Sequence, residues 1–423
     1  MNSSPRQRPQ DGPQSEPRTS LLVALVVTMG VGPVLIHGLS TTSDYLLPRL
    51  GITESQFGLL STTMFVSAAL VAMLLGRLAD VVSVRHQLIF TFGGIALALT
   101  IAAFTTEYWF LFIAMIIAGP VQVIANPTTN RVISQVVPRA KRGSWIGAKQ
   151  SGVQATQLFA GIYFPVITLW LGWRGAFLGA AGVVLVLLWT SLRALPPEPP
   201  TNWAKVRQIF SMRRGSQVEA KNIDRLPAAV WVLAAISFCG GIGMQITNIY
   251  LPLYTVRELD FSLVLGGIAA GSAGLVGVLS RVWWGHLMGK GHSAAKLLMW
   301  LVTGGILGVV AIMLASPMQE PILLWIGVLL FGLTITGINV IVNTATMIIT
   351  APERIGTATG ITTLGMYAGF AVGPILSGTL LEQTGTFLVT WIAVTVVYVI
   401  CFGLAIVLKY APGNPRNEAR QAA

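Results

Sequence analysis

The chain has 423 residues, 54% of them hydrophobic and only 10% charged, with a formal net charge of +12. Such a composition excludes a water-soluble globular domain, which could not cover so much apolar surface. The basic excess alone excludes little, because it serves nucleic-acid binding and membrane topology alike.

Residues 1–18 are rich in Pro, Gln, Ser and Arg and read as a disordered tail. The apolar run that follows is too long for a signal peptide and has no small-residue cleavage site. Stretches of the roughly 20 residues that a bilayer requires then fall at about 20–46, 55–79, 87–104, 108–136, 142–169, 175–194, 227–253, 262–287, 294–315, 321–349, 355–381 and 386–409. These predict twelve transmembrane helices: a bundle over 19–194, a linker over 195–226, a second bundle over 227–410 and a tail over 411–423.

Span one carries His37, Thr41 and Asp44 at i, i+4 and i+7, one face of a straight helix. Between spans two and three stands Gly76-Arg-Leu-Ala-Asp80, with Arg85 soon after. Span four carries Asn126 and Asn130, again one turn apart, then Arg131. Lys149 lies six residues beyond Gly143, or about 9 Å into span five at 1.5 Å per residue, and Arg131 is at a similar depth before Pro138. Two cations at one level favour an anion, although either could snorkel to the surface, and Arg131 could pair with Asp80. Gln150, Gln154 and Gln157 make one stripe of span five polar, which a membrane helix tolerates when it pairs with neighbours or lines water.

The linker opens with Pro196-Pro-Glu-Pro-Pro200 and carries several Lys and Arg; Trp203 to Met212 fits a short amphipathic surface helix. The second half repeats the first. Leu251-Pro252 echoes Leu47-Pro48, which sets Asn248 opposite Asp44 and Gln245 opposite Thr41. Arg281-Val-Trp-Trp-Gly285-His-Leu-Met-Gly289 stands in the place of the Gly76–Asp80 loop, with Gly289 where Asp80 would be. Asn339 and Asn343 in span ten mirror Asn126 and Asn130, and the counterpart of Lys149 is the hydroxyl-rich Thr362-Thr-Leu-Gly-Met-Tyr367, without a cation. Interhelical hydrogen bonding accounts for many such amides. With both termini on one side, the opposite loops hold only Arg49, Arg174 and Arg257 of the 27 Lys and Arg. That is the positive-inside bias expected of a membrane protein with cytoplasmic termini, where basic residues also attract anionic lipid, and no basic, aromatic-interleaved domain remains for nucleic acid.

The Gly76-x-Leu78-x-Asp80 loop with its following basic residue, the six-plus-six halves and the central linker resemble the major facilitator superfamily of secondary transporters. The resemblance implies an all-α membrane fold, two pseudo-symmetric six-helix bundles around a cavity that opens alternately to each side, no cofactor, and a monomer. It implies that Gly76, Asp80 and Arg85 act as a gating latch, although Val81-Val82-Ser83 thins the basic cluster. Asn126 through Gly152 resembles bacterial permeases of the cyanate and organic-acid type. Met115 stands where the antiporters carry an arginine, and span five lacks their G-P-x-x-G-G tract, which counts against drug export.

The expectation is therefore an inner-membrane permease that moves a small organic anion by proton symport. Lys149 and Arg131 would bind the anion, and Gln150, Gln154, Asn126, Asn130, Gln245, Asn248, Asn339, Asn343 and Tyr367 would orient it. Asp44 or His37 would carry the proton. The alternatives are a proton-coupled drug or metabolite exporter built around Asp44 and, further off, a sensor on the same fold. No phosphate-binding loop or nucleophile–base pair points to an ATPase or an enzyme.

Overall fold

The computed structural model describes residues 18–198, 200–211, 226–351 and 354–410. The expected tails, apart from Arg18, and residues 212–225 of the linker lie outside them. By length and apolarity ten described helices can cross a membrane, or eleven when the bent pair Thr19–Val31 and Val34–Thr41 counts as one span. One of the ten, Ser144–Ala194, has 51 residues. At 1.5 Å per residue it would reach roughly 77 Å, more than twice a bilayer core of about 30 Å. It breaks at Gly172, where φ is 67° and ψ 174°, a backbone that glycine alone adopts without strain. The run is thus spans five and six joined by a single residue, and the spans number the twelve expected.

Span one departs from the straight helix expected. It is built of Thr19–Val31, Val34–Thr41 and Ser43–Leu50, bent by 55° around Gly32-Pro33. It breaks again at Thr42, where φ is −114° and ψ 10°. Spans two, three and four are Glu54–Val81, Val84–Ala103 and Tyr108–Val136. Thr53 and Gln56 form a capping box at the start of span two, and Ser83 caps span three. Spans seven, eight and nine are Ala228–Glu258, Leu263–Gly289 and Ala294–Ala315. Span ten is interrupted: Pro321–Thr334, a 3-10 turn at Ile335–Gly337, then Ile338–Ile349. Spans eleven and twelve are Ile355–Thr384 and Phe387–Tyr410.

Each half packs as a bundle, span two on span four and span seven on spans eleven and twelve. The halves meet in matched pairs, span two with span eleven and span five with span eight, while span one touches span seven. Small residues allow these contacts. Gly161 and Gly267 face each other so closely that a Cβ on either would strike the other's carbonyl oxygen. Gly378 gives the same approach to Glu54.

An even number of spans puts Arg18 and Tyr410 on one face, the terminus face; the turns near residues 51, 172, 260 and 385 make the far face. The linker docks on the terminus face. Arg85 N–H donates to Glu198 Oε1 (2.8 Å) and Ser83 N–H to Thr201 Oγ1 (3.0 Å). Its helix runs Trp203–Ser211, with Trp203 exposed.

Candidate functional site

Lys149 is 0% exposed in span five. Its ammonium donates to Asn126 Oδ1 (2.8 Å), Asn130 Oδ1 (2.6 Å) and Thr129 Oγ1 (2.8 Å) of span four, with the Asn126 carbonyl oxygen at 3.3 Å. The i, i+4 spacing of the two asparagines sets both on the face that meets span five. An ammonium has no acceptor, so both asparagines must turn their oxygens to it. Their amide N–H groups then point the other way. Both asparagines are exposed, and polar side chains at this depth are costly against lipid. The arrangement is a pair of amide donors polarised by a buried cation, a surface that accepts an anion.

A second cation, not foreseen as a membrane-embedded group, meets the same helix from the other half. Arg281 of span eight, partly buried, donates from Nη1 to the carbonyl oxygen of Gln150 (3.0 Å) and from Nε to that of Thr336 (3.4 Å). Thr336 lies in the 3-10 turn of span ten, where regular helix bonding lapses. Ser280 Oγ (2.6 Å) and Trp284 Nε1 (2.8 Å) on the same face of span eight donate to Leu333 just above it. Among the described residues, neither Lys149 nor Arg281 has an acidic partner. Apart from Asp44, every described acidic residue lies in a loop or the terminal turn of a span.

The remaining glutamines join the halves. Gln157 Nε2 donates to Asn248 Oδ1 (3.3 Å) and to the Ala270 carbonyl oxygen (3.1 Å), and Gln245 Nε2 reaches Ser61 Oγ at 3.4 Å. Gln154 is buried, with no partner for its Oε1 among the described residues. Asn339 is partly buried and Asn343 exposed on span ten. Tyr367 of span eleven lies 6.0 Å from the Phe65 ring of span two. His37 is buried in span one.

The other sequence candidates lie elsewhere. Arg131 closes the end of span two, donating from Nη1 to the carbonyl oxygens of Ala79 (2.7 Å) and Val82 (2.6 Å). Those are carbonyls a helix end leaves unpaired, and a cation suits the negative end of its dipole. Asp80, the residue after Ala79, is exposed. Asp44 lies beyond the break at Thr42, which interrupts the continuous helix that its spacing from His37 assumes, and stands nearer the far face than His37. There it meets Arg257 (3.2 Å), which also holds Glu54 (2.6 Å). Around this ion pair Ser55 bonds Glu382, Tyr250 Oη donates to the carbonyl oxygens of Glu54 (2.9 Å) and Pro374 (3.0 Å), and Ser40 Oγ to those of Asn248 and Ile249. The far face is closed by bonds between the halves.

The Major Facilitator Superfamily matches residues 19–367. The probable sulfoacetate transporter SauU of Cupriavidus necator is 25% identical over 371 residues, which cover 82% of this chain and 84% of that protein. The membrane sensor protein UhpC of Salmonella typhimurium is 23% identical, covering 82% of each chain. The gentisate transporter of Corynebacterium glutamicum is also 23% identical, over 82% of this chain and 77% of its own. Among solved structures, a bacterial homolog of the human lysosomal transporter Spinster, inward-facing and occupied, superposes with a TM-score of 0.72 at 15% identity, covering 95% of this chain and 98% of that one. At that identity the likeness is one of fold.

Proposed function

Because the chain belongs to the Major Facilitator Superfamily, we propose that it is a secondary transporter that moves a small organic anion across the inner membrane by alternating access, as a monomer with cytoplasmic termini. The observation that carries this is the buried Lys149 ammonium, which has amide and hydroxyl partners but no described carboxylate. A buried cation left without a counter-charge is costly in a membrane, and a carboxylate or sulfonate substrate supplies that charge. The similar proteins named for sulfoacetate and gentisate, both organic anions, support the same class.

The anion enters from the terminus face, takes hydrogen bonds from the Asn126 and Asn130 amides, and neutralises Lys149. The far-face bonds among Arg257, Asp44 and Glu54 then release as the halves rock. Gly76, Asp80 and Arg85 latch the opposite end in the alternate state. Proton coupling falls to His37, since Asp44 is engaged in the ion pair with Arg257.

Purified protein in proteoliposomes, loaded against labelled small carboxylates and sulfonates, tests this. Uptake of at least one such anion, abolished in Lys149→Gln, is the expected result. Unchanged uptake in that variant sinks the assignment.

A further inference from the structure

Resting on that reading of Lys149, we infer that Arg281 is a second anion ligand, contributed by the opposite half, and that the substrate carries two anionic groups. Three observations bear on it. Lys149 stands in span five, and Arg281, from the other bundle, donates to that span at the very next residue, through the carbonyl of Gln150. The guanidinium has five donors in a fork shaped for carboxylates and sulfonates, and here two of its nitrogens rest on backbone carbonyls. Among the described residues no acid neutralises it.

A purely structural role, sealing the break in span ten, is the competing account. Ser280 and Trp284 already cover the Leu333 carbonyl there, while Arg281 approaches Thr336 at only 3.4 Å. Its shorter bond runs across the halves, to a carbonyl of a continuous helix that does not need it. That carbonyl stands in for an anion. A substrate with one charged group at the Asn126–Asn130–Lys149 donors and another on Arg281 would tie the two bundles through itself, each cation meeting a full charge.

The test compares matched probes on the full-length purified protein: sulfoacetate and malonate with two anionic groups, acetate and methanesulfonate with one. Binding is read by calorimetry and thermal shift. In Arg281→Gln, dianion affinity is expected to fall by about tenfold or more while monoanion affinity stays within about threefold, as for loss of one charge-assisted contact. Dianion affinity retained, or both probe classes weakened alike with a lower ligand-free melting temperature, overturns the assignment of Arg281. Should Arg281→Gln fail to fold, Arg281→Lys keeps the charge but loses the fork. A selective dianion loss there supports the assignment, and an unchanged ratio overturns it. No anion binding by the native protein, or full binding by Lys149→Gln, instead overturns the Lys149 site itself.

Discussion

Arg257 of span seven reaches across the far face to Asp44 of span one, Nε to Oδ1 at 3.2 Å, and holds Glu54 of span two at 2.6 Å with its other arm. One guanidinium thus bridges the second half to two helices of the first. All three side chains keep between 23% and 34% of their exposure, so water screens the pairs and each is worth about 0.2–1 kcal/mol.

Arg257→Gln should therefore shift the equilibrium toward far-face opening by a few-fold, not lock it open. In a background without Cys239 and Cys401, both buried and free, a cysteine at Ser40, beneath this pair and 1% exposed, should label faster with a membrane-impermeant maleimide. An unchanged rate would remove the gate role.

Asp44→Asn separates gating from coupling. With Asp44 acting only in the ion pair, the variant retains acid-driven uptake in proteoliposomes with altered kinetics. His37→Gln loses the stimulation by an imposed pH gradient but keeps counterflow exchange of the anion. The reverse pattern would hand the coupling role back to Asp44.

Asn130→Leu takes one acceptor from a fully buried ammonium. Leaving such a group short of a partner costs about 1–3 kcal/mol, so the ligand-free melting temperature should drop and anion affinity with it. Asn130→Asp should instead raise stability while blocking anion binding, because an internal carboxylate takes the substrate's place. Calorimetry against the same anions reads both.

Gly161→Val sets a branched side chain where the carbonyl of Gly267 lies. The collision costs about 1–3 kcal/mol and should drive spans five and eight apart. Spin labels near the far ends of the two spans should report a longer distance than in the native protein.

The spans, the two halves and the Lys149–Asn126–Asn130 grouping are legible in the sequence because each follows from one-dimensional periodicity. Apolar length counts helices, and i, i+4 spacing puts two amides on one face. The same logic is weakest at Asp44: a period of 3.6 assumes a continuous helix, and span one breaks between Thr41 and Ser43. Arg281 reads from the sequence as a membrane-edge residue, because its tract aligns with the Gly76 loop. Its position depends on the turn at Ile335–Gly337, which no apolar pattern marks. The signal that was available is the spacing of Ser280, Arg281 and Trp284, polar groups one turn apart or adjacent on an otherwise apolar helix. Arg131 carries the right charge at the expected depth, but whether a cation faces a cavity or the carbonyls of Ala79 and Val82 is a matter of rotamer and neighbour.

Glu54 is gripped twice by span seven, at its carboxylate by Arg257 and at its carbonyl by the Tyr250 hydroxyl, which also reaches Pro374 in span eleven. Spans seven and eleven belong to one half, so span two leaves them together: as the halves rock, Arg257 loses Glu54 and the single Tyr250 hydroxyl proton passes wholly to the Pro374 carbonyl. The hydroxyl that lets go of Glu54 thus keeps a partner inside its own half, and opening this end strands no donor of Tyr250.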